Sequence, residues 1–503
     1  MNPPDHTVIA RLRALTSSLG TNGGLMSPAV YDTARATSLL DTAPATRHHR
    51  LAWLLSQQHS DGGWGHPHAS HARDLPTLAA ILALHDHPAA HTSVRKAVDF
   101  LHQHAPRTWN SPLPEDLLVG VELTVPVLLD EAARRGIPLP AAYGPLRTLG
   151  EQRRRLIQAH APHPPGSSAA YSWETWAPLD DPSMIDGTGG IGHSPAATAT
   201  WIHHNHSSAP PLLLDRAQQY LHDAGTATGT AYLLPTAWPI TVFERVWVLY
   251  ALARAGLTQH PRLKDSCDHQ LDRITASLTP DGLGFSDHFM VDGDITATAL
   301  ATLALTGRPT DAGVLDRFRT HDHYGTYPGE LQNSVTTTAH ALHALTATGT
   351  APHQLPPEPV DFLLDHQNDQ GRWDGDKWHT SWIYTTAQTL TALTAHPRAH
   401  HATHNALTCL VNAQNPDGSW GTNPIPTAGE TGHAVLALHT AHAAATIPHL
   451  AEALHRAAAW LTQWHRGNTP CACGLWISKD LYCPTRIDEA TALTALAALN
   501  SHD

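Results

Sequence analysis

Charge is what this chain has least of. Only 15% of its 503 residues are Asp, Glu, Lys or Arg, and the formal balance is −13. That sign argues against a nucleic-acid partner, because phosphate binding wants a basic face. Cysteine is also scarce, with Cys267, Cys409, Cys471, Cys473 and Cys483 only. An odd number without a regular framework fits a reducing compartment better than secretion. Cys471 and Cys473 stand too close for the usual two-residue zinc knuckle. No run reaches the roughly 18 apolar residues of a membrane span, and M-N-P-P-D-H-T-V has no signal-peptide core. These absences predict a soluble, cytoplasmic protein with no stable membrane insertion. Alternating β-branched runs are missing as well, which counts against a β-rich fold.

What is present in quantity is histidine, 40 residues, and apolar residues, 41%. The histidines are scattered and read mostly as bias on exposed faces. His203, His204 and His206 cluster, but no carboxylate or cysteine completes a metal site there. A repeat carries more information. Q-Q-H-S-D-G-G-W ends at Trp64, Q-N-D-Q-G-R-W at Trp373 and Q-N-P-D-G-S-W at Trp420. Weaker copies end at Phe285 and Trp476. Apolar helical segments precede the strong copies, and Ala/Leu/Thr stretches at helical period follow. Helical hairpins repeated at very roughly 45 residues stack into a solenoid or close into an α/α barrel. The recurrent Gln and Trp favour closure, with Gln bonding helix ends and Trp covering a neighbouring helix. Most tryptophans are then packing residues. The Gly/Pro-rich region between the clear repeats suggests two helical domains.

One stretch breaks the pattern. Asp292 and Asp294 sit one residue apart in F-M-V-D-G-D-I-T-A-T, beside an Ala/Thr/Leu run that looks buried. They could simply cap a helix starting near Ile295, as Asp often does.

The repeats and this pair together resemble the class II terpene cyclases. The Gln…Gly-x-Trp units are like the QW motifs of squalene-hopene cyclases, and Asp292–Ala297 resembles the Asp-x-Asp-Asp-Thr-Ala motif. G-I-G-H-S-P-A-A-T-A (190–199), W-P-I-T-V-F-E-R-V-W (238–247) and L-W-I-S-K-D-L-Y-C-P (475–484) are similar to bacterial diterpene members. The resemblance implies an all-α fold of two α/α barrels in γβ order. Residues 1–20 would form an N-terminal helix of the β domain, 21–228 an inserted γ domain, and 229–503 the rest of the β domain. The Asp-Asp-x-x-Asp motif of ionisation-initiated synthases is absent, since Asp180-Asp181 runs into Pro-Ser-Met, so the substrate's diphosphate should survive.

What the resemblance implies for the chemistry is a proton delivered to an alkene. By position in the motif, Asp294 is the acid and Asp292 its partner, and an apolar setting favours the neutral carboxyl that this needs. Ile295 replaces the usual third Asp. Cation stabilisation by aromatic faces falls to Trp378, Trp382 and Tyr384, with Trp173 and Phe243 behind them. In plant copalyl diphosphate synthases a His and an Asn hold the water that removes the final proton. Tyr171 and His222 stand at the matching places here. Lys377, Lys479 and Arg486 are the candidates for the diphosphate, and Glu122 for a Mg²⁺ ligand. The implied reaction turns geranylgeranyl diphosphate into a bicyclic labdane-, halimane- or clerodane-type diphosphate. Farnesyl diphosphate, giving a drimenyl-type product, is the alternative. An α/α-barrel glycosidase, whose carboxylates lie farther apart, and a non-catalytic repeat scaffold fit less well. A homodimer is compatible with either enzyme reading.

Overall fold

The computed structural model describes residues 6–500 except 111, 115, 180, 231, 329, 331, 443–446, 468 and 470–473. Cys471, Cys473 and Asp180 lie outside the described residues. The Ala/Leu/Thr segments are helices, and they divide by how they are buried. Helix α1 (His6–Ser17) is followed by α2 (Val30–Leu39), α3 (Pro44–Ser56), α4 (Asp74–Leu84), α5 (His91–Thr108) and α6 (Val121–Arg134). Then come α7 (Gly144–Ala159), α8 (Pro195–Asn205) and α9 (Pro211–Thr226). Helices α2, α4, α6, a 3-10 stretch at Ala169–Thr175, and α8 form a ring in which α8 packs back on α2. Helices α3, α5, α7 and α9 lie outside it.

A second ring follows. Its members are α10 (Thr241–Arg254), α11 (Lys264–Ser277), α12 (Gly293–Leu305), α13 (Val335–Ala347), α14 (Pro357–Asp365) and α15 (Trp382–Leu393). The remainder are α16 (His400–Asn412), α17 (Ala428–His442), α18 (Leu450–Arg466) and α19 (Thr485–Asn500). Helices α10, α12, α13, α15, α17 and α19 are neighbours in that order, and α19 closes on α10. Outside them pack α11, α14, α16 and α18, with α1 laid against α11 and α19. Val8, Ile9, Leu12 and Leu15 of α1 thus belong to the core of this second barrel.

Sequence explains which helices go where. Every residue of α12 from Gly293 to Leu303 is buried, as befits a helix that carries small and apolar residues on all sides, and Asp294 is its one ionisable exception. Outer α18 buries Leu450, Ala453, Leu454, Ala457 and Leu461, one stripe at helical spacing. The three strong Gln/Trp turns repeat one bonding pattern. Each indole Nε1 donates to a carbonyl ten residues back at the end of the preceding helix: Trp64 to Leu54 (2.7 Å), Trp373 to Leu363 (2.6 Å), Trp420 to Leu410 (2.8 Å). Each Trp backbone N–H donates to a threonine of the next inner helix: Thr77, Thr386 and Thr431. Each Gln amide ties its own turn to the first turn of the next outer helix, through Ser93, Ala402 and Ala453 carbonyls. The Gln does meet a helix end, as expected. The Trp does more than cover a neighbour, because it satisfies carbonyls that a helix terminus leaves orphaned.

Two short hairpins interrupt the helices. Strand β1 (Leu283–Gly284) pairs antiparallel with β2 (Val291–Asp292), in register Leu283 to Asp292. Strand β3 (Trp476–Ile477) pairs with β4 (Leu481–Tyr482), Trp476 opposite Tyr482. Both hairpins face the seam between the barrels. No helix among the described residues is long and apolar enough to cross a membrane.

Candidate active site

A cavity of about 770 Å³, counting its open mouth, lies where the two hairpins meet the first barrel. The loop from β1 delivers Asp292 to the start of α12, where its side chain accepts from the Ile295 backbone N–H at 2.9 Å. The capping reading was therefore correct for Asp292. Its carboxyl nevertheless faces the cavity. Burial, and then the neighbouring Asp294, push it up to about 8, while the Ile295 N–H and the Tyr327 hydroxyl oppose that rise. Asp292 therefore holds its proton at neutral pH. Asp294, one residue into the helix, also faces the cavity and caps nothing. Its Oδ1 lies 2.6 Å from His340 Nδ1 on α13. His340 Nε2 is 3.3 Å from Gln388 Oε1, and Gln388 Nε2 is 3.3 Å from His433 Nδ1. Burial, then the cation of Arg254, push His433 down to about 3, so the far end of this chain is neutral.

The raised Asp292 has a consequence for stability. The unfolded chain releases this proton above about pH 4, whereas the folded chain keeps it to about 8. Stability from this group is present in acid and is lost as pH rises through that window. Asp292→Asn cannot ionise, and its amide oxygen can still accept from Ile295. Its melting temperature is expected to fall less than that of the wild type between pH 5 and pH 8, as read by differential scanning fluorimetry. Equal declines would show that Asp292 ionises freely in the fold.

Aromatic rings make up most of the wall. Phe243 stacks on Phe285 with centroids 4.8 Å apart, and Trp247 and Trp476 tilt against Phe243 at 4.7 and 5.4 Å. Phe289, Tyr327 and Trp378 continue the lining. Of the aromatics expected here, Phe243 and Trp378 are in the wall. Tyr384 stands one layer behind, accepting from the Trp247 indole at 3.1 Å. Trp382 instead lies under the Arg372 guanidinium, 4.6 Å from its ring. Trp173 is fully buried in the core of the first barrel. Neither reaches the cavity.

The proton-removing and diphosphate candidates fare differently. Tyr171 does line the cavity, but its hydroxyl donates to the Thr236 carbonyl at 2.8 Å, and burial raises it above the ordinary tyrosine range. It is neutral and cannot serve as a base. His222 sits exposed on outer helix α9, far from any water-holding role in the cavity. Lys377 is bonded to Glu330 at 2.6 Å, and fully buried Lys479 to Glu174 at 2.6 Å and Ser194 at 2.7 Å. Arg486 grips Glu244 at 3.0 Å, and Glu244 also accepts from the backbone N–H groups of Gly20 and Leu25. All three cations thus already hold carboxylates, and Lys479 and Arg486 stitch the barrels and the N-terminal segment together. Glu122 is taken by Arg153 at 3.0 Å. Among the described residues no three His, Cys, Asp or Glu side chains gather as metal ligands.

His340, Gln388, Trp247 and Trp476 went unrecognised in the sequence. His340 was hidden among forty histidines in a run, A-H-A-L-H-A-L, that reads as ordinary repeat. Only the fold distinguishes it, burying His340 on the inner face beside Ala339 and Ala341.

Family comparisons agree with this geometry. A prenyltransferase alpha-alpha toroid domain model matches residues 14–106, and a squalene-hopene cyclase C-terminal domain model matches 331–469. The chain is 41% identical to (+)-kolavenyl diphosphate synthase of Herpetosiphon aurantiacus, over 98% of this chain and 97% of the relative. It is 33% identical to labda-7,13-dienyl diphosphate synthase of Streptomyces clavuligerus, over 99% and 94%. Among solved structures, ent-copalyl diphosphate synthase from Streptomyces platensis superposes with a TM-score of 0.79 at 28% identity, over 98% of this chain and all of that one. With two closed barrels, an aspartate pair set in an aromatic cavity between them and relatives matched end to end, this chain belongs to the class II diterpene cyclases of the squalene-hopene cyclase superfamily.

Proposed function

We propose that this protein cyclises geranylgeranyl diphosphate to a bicyclic diterpenyl diphosphate, with the diphosphate retained. The observation that carries the reading is Asp294 facing an aromatic-walled cavity with His340 against its other side. An alkene is a very poor base, so the acid must be held neutral, placed at the reacting carbon and shielded from water. His340 Nδ1–H donating to Asp294 Oδ1 leaves Oδ2 to carry the proton toward the substrate. Gln388 Oε1, 3.3 Å from Nε2, fixes the ring, and the Nδ1–H bond of His340 stabilises the carboxylate formed when that proton leaves. Asp292, capping α12 and neutral, withholds a second negative charge from the site. Phe243, Phe285, Trp247 and Trp476 line the cavity, and each ring face turned to the cation is worth about 0.5–2 kcal/mol.

Three relatives' names, kolavenyl, labdadienyl and copalyl diphosphate synthase, support the C20 substrate over farnesyl diphosphate. Magnesium in this reading accompanies the diphosphate, because Glu122 is already paired. The division at residues 20 and 228 is retained, supported by α1 packing in the second barrel. The test is incubation with geranylgeranyl and, separately, farnesyl diphosphate, followed by phosphatase and mass spectrometry. A bicyclic C20 alcohol is expected from the first. A folded protein that cyclises neither overturns the reading, and a drimane alcohol from the second alone would transfer it to C15.

His340→Phe keeps the volume but removes both nitrogens. It is expected to lower kcat about 100-fold, the scale of a misplaced catalytic group, with KM nearly unchanged. Equal activity would show that Asp294 needs no orienting partner.

A further inference from the structure

We propose that His193 is the base that ends the reaction, taking the proton from the cyclised cation; this rests on the cyclase reading above. With Tyr171 neutral and donating, and His222 outside, the cavity needs another acceptor. His193 lines the same cavity as Asp294 but comes from the first barrel, so acid and base stand on different domains.

The chain goes to some length to place this ring. Gly192 and His193 are consecutive left-handed residues, with φ of 54° and 61°. That conformation strains a non-glycine residue and persists only where its surroundings impose it. The Trp238 N–H, donating to the His193 carbonyl at 3.0 Å, is one such constraint, and α8 begins two residues later. The imidazole consequently lies edge-on to Phe289 of the second barrel, with centroids 5.0 Å apart.

Its two nitrogens have distinct surroundings. Nδ1 faces Asp186 Oδ2 at 3.5 Å. Both atoms are buried, and neither has an aligned hydrogen-bond partner among the described residues. The other Asp186 oxygen accepts from Thr188, through its backbone N–H at 2.8 Å and its hydroxyl, which fixes the carboxylate. Nε2 meets the Ser286 hydroxyl at 2.6 Å. A proton on Nδ1 turned to Asp186 leaves Nε2 as the acceptor, bonded in the resting enzyme to the Ser286 hydroxyl, whose oxygen also accepts from the His288 N–H at 3.1 Å; the step requires Ser286 to give way to the substrate C–H.

The step balances without any further reagent. The C–H bond beside the cationic carbon breaks, and its electron pair becomes the π bond of the new alkene. The proton bonds to Nε2, and Asp186 stabilises the imidazolium. Asp294 has lost one proton and His193 has gained one, so the substrate is isomerised with no change of oxidation level. Exchange with water resets both groups. Asp186 acts through His193 and is a positioning residue.

His193→Asn is the test, since Asn tolerates the left-handed conformation but is not a base at neutral pH. Asp186→Asn is its companion. Each is assayed beside wild type with geranylgeranyl diphosphate, and the dephosphorylated products are resolved by gas chromatography and mass spectrometry. For His193→Asn we expect the wild-type olefin to fall at least about tenfold, replaced by water-captured hydroxylated products or by olefin isomers, while KM moves less than kcat. Asp186→Asn should shift the product ratio the same way by a smaller factor. Should thermal melting show His193→Asn to be unfolded, Asp186→Asn decides, and an unaltered product ratio from it overturns the proposal. The wild-type olefin at a rate within about twofold also overturns it, as does a raised KM with an unchanged product, which would make His193 a binding contact. A wild type that cyclises nothing overturns the substrate reading as well. A cyclising wild type with an unaltered variant removes this assignment alone.

Discussion

Asp294→Asn is expected to lower kcat by about 10³-fold, within the 10²–10⁴ range of a positioned acid, with the melting temperature held within a few degrees. The amide has the shape of the carboxyl and keeps an oxygen for His340 Nδ1, which lies 2.6 Å from Asp294 Oδ1. What it lacks is a proton acidic enough for an alkene. Single-turnover product formation measures the chemical step, and binding of an unreactive substrate analogue shows that the cavity survives. Turnover within about tenfold of wild type would remove Asp294 from the role of acid. Asp292→Asn provides the contrast. Asp292 is already protonated, and its fixed duty is to cap α12, so its replacement should leave far more activity than that of Asp294.

Trp420→Ala should be strongly destabilising, costing about 3–5 kcal/mol, the usual range for truncating a buried Trp. Trp420 is fully buried in the core of the second barrel. Its indole closes the end of α16 through the Leu410 carbonyl, and its backbone N–H holds Thr431 at the start of α17. Truncation opens a cavity and also orphans that carbonyl. Trp420→Phe keeps an aromatic ring but loses the N–H bond and part of the bicycle, so its loss should be smaller, about 1–3 kcal/mol for the orphaned carbonyl plus a partial cavity. Urea denaturation of the full chain gives both values. A loss below about 1 kcal/mol for the alanine variant would show that the Gln/Trp turns do not hold the barrel closed.

The repeats show how far the sequence reaches. At Trp64, Trp373 and Trp420 the pattern is complete, and the turns have the same three bonds. At Phe285 and Trp476 the pattern is degraded, and there the ring faces the cavity instead; the Trp476 indole donates to Asp488 rather than back along its own helix. The imperfect copies are where the scaffold gives a residue to the site. That distinction was present in the sequence, yet both positions were read only as weaker copies of the repeat.

All-helical folding, barrel closure and the aspartate pair were determined by the sequence alone, because each depends on local order: period, turn chemistry, and two carboxyls within one helical turn. Tertiary structure decided the rest. His340 reaches Asp294 across 46 residues, and His193 enters the cavity from the other barrel. Neither proximity leaves a mark in local spacing. Lys377, Lys479 and Arg486 looked like free cations until the fold supplied Glu330, Glu174 and Glu244. A buried charge is defined by its partner, and long-range packing chooses that partner.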